Sequence, residues 1–318
     1  MGKITKEMKT LYERLSKLGF SENFIRANGL PQWWDTEAES IRGAEIEAAA
    51  YISKRLNLDV RSLLAKEGVP SFKGSCGVRF KTGNSYGSEH PKVAQYMAMR
   101  IAEMVAYSCI PPLLNLPGDA PSIREEILEN EEYVNLEALL NWCWRYGIPV
   151  VGFDRFPISE VDHNFQGMVT HRYGRPVIIL STEEDLRAVM LFTLAHELGH
   201  LVNKHLQNNT IVDGNIDRED CTDPEEIEAN GFAINLLFVH HEVVSTNYAH
   251  LDARSAKNVH DESSGHATAR RTLQLLDAEP DTEVDAIGLI NNYLAKNLDL
   301  ERLDEDSQSY MELVMGAA

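Results

Sequence analysis

The stretch DLRAVMLFTLAHELGHLVNKHL, residues 185–206, decides how this chain is read. Ahead of it, Ser181 and Glu184 stand at capping-box spacing, which predicts a helix opening there and continuing through the stretch. On that helix His196 and His200 lie four residues apart, about 40° in bearing, so both imidazoles reach one metal ion. Glu197 points in a neighbouring direction, where it takes a proton from water on the metal without occupying a coordination position. The apolar run from Val189 to Ala195 sets the site deep in the protein. Two imidazoles and a carboxylate at that depth require a compensating cation. Gly199 weakens the helix by about 1 kcal/mol relative to Ala, which signals close packing against a neighbour.

A hydrolytic zinc needs a third protein ligand and one open position. On a continuous helix His205 lies about 140° from His200 and cannot share the site. The longer HExxHxxGxxH pattern is excluded, because Asn203 stands at its glycine and Leu206 at its last histidine. A second helix offers a better candidate. Asp223 reads as its N-cap, Pro224 as its first residue, and Ala229, Phe232, Ala233, Leu236 and Leu237 as its apolar face. Glu228 sits at the edge of that face, giving a gluzincin-like HExxH-x27-E set of His196, His200 and Glu228. Glu225 and Glu226 read as exposed first-turn acids favoured by the helix dipole. Zn2+ is the expected ion, with Mn2+ tolerated by the same donors.

Five motifs in order, GIPVV (147–151), QGMVTH (166–171), GRPVIILS (174–181), HELGH (196–200) and EANGFA (228–233), make the chain resemble the ImmA/IrrE-type zinc metallopeptidases. The resemblance implies a zincin-like core in which His196, His200 and Glu228 hold the metal and Glu197 is the general base. It also implies an intracellular protease of narrow scope that cleaves a helix-turn-helix repressor and so switches on phage, mobile-element or DNA-damage genes. The family's Met-Pro after the second helix is replaced here by Phe238 through Glu242, and the loop carrying His163 is long.

Outward from that core, periodicity predicts helices over Lys6 to Leu18, Asp35 to Leu58, Pro91 to Cys109, Leu136 to Tyr146 and Asp285 to Leu298. Short strands are expected at 148–153, 165–171 and 176–180, the last two joined by a hairpin turn at Arg172 to Arg175. The fold class is therefore α+β, mainly helical, with a three-stranded sheet packed on the HExxH helix and a second ligand-bearing helix. Three regions are expected: an N-terminal helical domain (1–120), the metallopeptidase core (121–250) and a C-terminal helical extension (251–318). Residues 74–87 read as a loop or short hairpin, and 52–64 has a faint helix-turn-helix pattern that an amphipathic helix pair explains equally.

Hydrophobic residues at 43% and charged residues at 25% exclude a wholly disordered chain. The net charge of −19 divides into +5 over residues 1–100 and −24 over residues 101–318, and so acidic a body opposes general nucleic-acid binding. No apolar run approaches a membrane span and no secretory signal is visible at the start. Cys76, Cys109, Cys143 and Cys221 form no CxxC pair, so a reducing cytoplasm is the expected location. The expected partner is a protein substrate, laid along an exposed strand such as Gln166 to His171. His171, Arg172, Tyr173, His240, His241, His260 and His266 are the candidate oxyanion donors. Two other readings compete: a metal-binding regulatory or antitoxin-like interaction protein with little proteolysis, and a DNA-binding regulator led by the N-terminal region. The presence of Glu197 argues against the first, since a structural site needs no base.

Overall fold

A computed structural model describes residues 3–73, 78–81, 93–153, 166–181, 187–206, 210–213, 223–238 and 285–316. The predicted capping box and the residues around His163, His240, His241, His260 and His266 fall wholly or largely outside these segments. The first helix, α1 (Lys6–Ser16), buries Met8, Leu11 and Leu15 as its spacing predicts, and Thr5 caps it by accepting from the Met8 amide. A one-turn helix, α2 (Glu22–Phe24), leads into a wide turn at Ile25–Gly29. The next helix, α3, covers only Ala44–Arg55, not the 35–58 expected. Glu39 is the reason. Its fully buried carboxylate accepts from Tyr12 Oη at 2.6 Å and pairs with Arg26, which holds residues 38–40 in a tight 3-10 turn. Gly43, at φ 91°, then redirects the chain into the helix.

Asp59 caps α4 (Val60–Leu64), whose five residues are too short for a recognition helix reading a groove. Then come β1 (Val78–Lys81), α5 (Val93–Ser108), α6 (Ala120–Leu128) and α7 (Leu136–Arg145). The strands β2 (Val150–Gly152), β3 (Gly167–Arg172) and β4 (Arg175–Leu180) follow, then α8 (Arg187–Val202), β5 (Thr210–Asp213) and α9 (Pro224–Leu237). Two helices end the description, α10 (Ala286–Asn297) and α11 (Glu305–Val314).

The architecture is α+β and mainly helical, around a small mixed sheet. The three strands expected are adjacent in it, and β1 and β5 extend it to the order β1-β5-β3-β4-β2. Tyr173 and Gly174, both at positive φ, form the two-residue turn of the β3–β4 hairpin. One sheet face, bearing Val151, Met168, Val177 and Ile179, shares an apolar core with α1, α3, α5 and α11. The other, bearing Val150, Val169, Ile178 and Leu180, packs with α6, α7, α8 and α9. Helices from before residue 120 and after residue 250 therefore share a core with the central sheet.

Strand β3 is not an exposed edge. It pairs with β4 along its whole length and with β5 from Gly167 to Val169. The β2 edge is also closed: Asn291 of α10 accepts from the Gly152 amide at 3.0 Å and donates to its carbonyl at 3.2 Å, a side chain standing in for a strand. Among the described residues no helix is long and apolar enough to cross a membrane.

The buried Arg124 of α6 donates through Nη1 to the carbonyls of Leu236 and Leu237, at 2.9 and 3.1 Å, closing the C-terminus of α9. Arg124→Ala leaves those carbonyls without that donor and is expected to cost about 2–3 kcal/mol, read as a lowered urea midpoint.

Candidate metal centre

Every residue of α8 from Ala188 to Val202 is buried, so the helix crosses the core and carries its polar residues into it. His196, Glu197 and His200 are fully enclosed. The packing anticipated at Gly199 is against α9: a Cβ there would lie 3.0 Å from the Ala229 carbonyl oxygen and 3.1 Å from Ala229 Cα and Phe232 Cβ. Backbone meets backbone at this crossing, which brings short side chains of the two helices within reach of one another.

The two histidines turn their Nε2 atoms toward each other at 3.1 Å. The third group is Glu226, whose Oε1 lies 3.3 Å from His200 Nε2 and whose Oε2 lies 3.4 Å from His196 Nε2. Here the structure departs from the sequence expectation at two positions. Glu226, expected as an exposed first-turn acid, is buried at the histidines. Glu228, expected at the metal, is 63% exposed in its side chain and accepts instead from His205. The reason is angular. The Ala229–Ala233 row faces Gly199, and at 100° per residue Glu226 stands about 60° from Ala229 on the Ala233 side. Glu228 stands about 100° away on the other side.

Burial opposes ionisation of Glu226, yet His196 and His200, when their Nε2 atoms carry protons in place of a metal, hold its carboxyl far below the ordinary carboxylate range through hydrogen bonds and charge. An ionised carboxylate and two imidazole nitrogens, three donor atoms 3.1–3.4 Å apart, need protons or a cation among them. Vertices about 2.0 Å from a tetrahedral centre lie about 3.3 Å apart, so these groups fit a metal ion with N/O ligands.

The other ring nitrogens are held as such a site requires. His196 Nδ1 is 2.7 Å from Asn230 Oδ1, an acceptor, which leaves Nε2 as the lone pair. His200 Nδ1 is 2.8 Å from His205 Nδ1, and His205 Nε2 is 3.0 Å from Glu228 Oε2. His205 reaches His200 because the helix has already ended. Lys204, at φ 62°, donates to the Leu201 carbonyl, and His205 donates to the His200 carbonyl at 3.0 Å, a Schellman turn that folds His205 back. The 140° bearing assumed a helix through residue 205.

Gly167 of β3 lies directly against Glu197. A Cβ at this position would stand 2.6 Å from Glu197 Cδ, so only glycine lets the carboxylate occupy its place. Of the oxyanion candidates, His171 is four residues along β3 from Gly167, about 13 Å at 3.3 Å per residue, and Arg172 and Tyr173 lie beyond it. Arg172 faces Glu103 of α5 at 3.9 Å and Tyr173 is exposed in the turn. Sequence reading assigned no role to Asn230 or Gly167. The signals were Asn inside EANGFA and Gly opening QGMVTH, in both cases a residue type chosen for a neighbour distant in sequence.

Two histidines and a glutamate from packed helices, with a second glutamate beside them, define the class: a site of metallopeptidase type. The family model described as the IrrE N-terminal-like domain, Peptidase_M78, matches residues 152–252, a span that holds β3, β4, α8, β5 and α9. That segment belongs to the ImmA/IrrE-type family, as the five motifs indicated. No curated protein and no solved structure gives a match to the chain.

Gly199→Ala gains about 1 kcal/mol of helix propensity but forces a methyl onto the Ala229 backbone. Overpacking of about 1–3 kcal/mol outweighs that gain, and a lowered thermal midpoint is expected.

Proposed function

We propose that the chain is a metal-dependent endopeptidase of narrow specificity, with His196, His200 and Glu226 as the metal ligands and Glu197 as the general base. The observation that carries this reading is the convergence of three buried donor atoms on one point with the Glu197 carboxylate on the adjacent helix position. The match to a metallopeptidase family over the same residues supports it. A structural or sensing site has no use for a buried carboxylate beside its ligands.

A divalent cation there, Zn2+ by preference for a His2Glu set, supplies Lewis acidity to a peptide carbonyl and lowers the pKa of a coordinated water. The remaining chemistry belongs to the chain. Glu197 accepts a proton from the attacking water as its oxygen bonds to the scissile carbonyl carbon. As the C–N bond breaks, Glu197 returns that proton to the leaving amine and is restored. Asn230 accepts from His196 Nδ1 and so holds His196 in the tautomer whose Nε2 lone pair is available to the cation. Gly167 provides the space in which the Glu197 carboxylate sits.

The substrate is a protein, and the family resemblance favours a helix-turn-helix repressor in the cytoplasm. Because β3 is paired on both sides from Gly167 to Val169, that part of the strand offers no free edge for substrate addition.

Glu197→Gln is expected to retain one equivalent of metal and to cut repressors encoded near its own gene at least 10³-fold more slowly, read as fragments on gels and by mass spectrometry. Undiminished cleavage by this variant removes the mechanism. Gly167→Ala pushes the carboxylate aside and is expected to lower turnover about 10²-fold with metal content unchanged.

A further inference from the structure

Beyond the ligands themselves, we infer that His205 and Glu228 form a positioning pair that fixes the tautomer and raises the donor strength of His200. This rests on the metal-centre reading above.

With His200 ligating through Nε2 and His205 neutral, the chain of contacts runs in one direction. The Glu228 carboxylate can only accept, so His205 Nε2 carries a proton and donates to it at 3.0 Å. A neutral His205 then has an Nδ1 lone pair, which accepts from His200 Nδ1–H at 2.8 Å. His200 is left with its lone pair on Nε2, the atom that faces His196 Nε2 and Glu226. A carboxylate bonded through an imidazole to a ligating imidazole increases the ligand's basicity and locks its ring plane. The negative end of the chain is at the surface, with the Glu228 side chain 63% exposed, while His205 is buried and His200 fully enclosed. The arrangement conducts the field of a solvated charge to a buried nitrogen without the cost of burying that charge.

Helix α9 thereby grips His200 from both sides. Glu226 meets Nε2 directly, and Glu228 holds Nδ1 through His205. Asn230 does the corresponding work for His196. Three polar residues at alternate positions of one helix, 226, 228 and 230, set both histidines of the other. The Schellman turn at Lys204 is what makes the His200 branch possible, because it is the turn that returns His205 to the helix end.

The test titrates Zn2+ into the full chain against a chromophoric chelator and records the visible bands of the Co2+-loaded protein. Glu228→Gln is expected to keep a 1:1 stoichiometry, weaken Zn2+ about 10-fold and shift the Co2+ bands, a change that an exposed carboxylate of merely structural role does not produce. His205→Leu is expected to weaken Zn2+ about 10- to 100-fold. His205→Gln, which still accepts from His200 and donates to Glu228, is expected to recover most of that loss. The double variant Glu228→Gln/His205→Leu is expected to bind as His205→Leu does, since both act through one chain. Zn2+ affinity and Co2+ bands of Glu228→Gln equal to wild type overturn the pair, even if the buried His205 variants fail to fold. Loss of stoichiometric binding in Glu228→Gln also overturns it, by making Glu228 a ligand. A wild-type chain that takes up no Zn2+ overturns the metal-centre reading itself, and the pair's role with it.

Discussion

The close approach of α8 and α9 at Gly199 is the constraint on which the site depends. Without a side chain at that position the α9 backbone comes to contact distance of the HELGH turn. At that separation a glutamate on α9 meets two imidazoles on α8. A wider crossing would leave Glu226 short of His196 and His200, and three buried polar groups without mutual contact. The same approach selects which glutamate reaches the two imidazoles. The helix presents its Ala229–Ala233 row to Gly199, and Glu226 is the acid nearest that row.

Burying so much polarity is tolerable only because the ring nitrogens have partners on both sides. The Nδ1 atoms of His196 and His200 are taken by Asn230 and His205. The Nε2 atoms face the Glu226 carboxylate. Other contacts keep the helices in that register. Arg124 closes the end of α9, and the apolar cluster beneath α8 ties the ligand helix to the sheet face bearing Val169 and Ile178. The sheet in turn sets Gly167 against Glu197, so that carboxylate is located by a strand and the three donor groups by two helices.

The surroundings restrict how a substrate approaches. Both flanks of β3 are paired near Gly167, and the outer edge of β2 is closed by the Asn291 amide. The small mixed sheet is covered on both faces by apolar clusters that include its flanking helices.

Much was determined by the sequence alone, and the parts that were share one property: they are local. The i, i+4 spacing of His196 and His200, the apolar run before them, the cap at Asp223 and the hairpin turn at Arg172 to Arg175 each depend on a few successive residues. So do the three central strands, whose apolar composition marks them. The five motifs in order were enough to indicate the family. Tertiary structure decided what depends on two segments meeting. The choice of Glu226 over Glu228 follows from which arc of α9 touches Gly199. The return of His205 follows from where α8 stops, which a helical wheel drawn through residue 205 cannot show. The shortening of α3 follows from Glu39 pairing with Tyr12 and Arg26, partners 27 and 13 residues distant. Periodicity specifies the direction of a side chain from its own helix, but a site is made where two such directions cross, and the crossing is set by the packing of backbones.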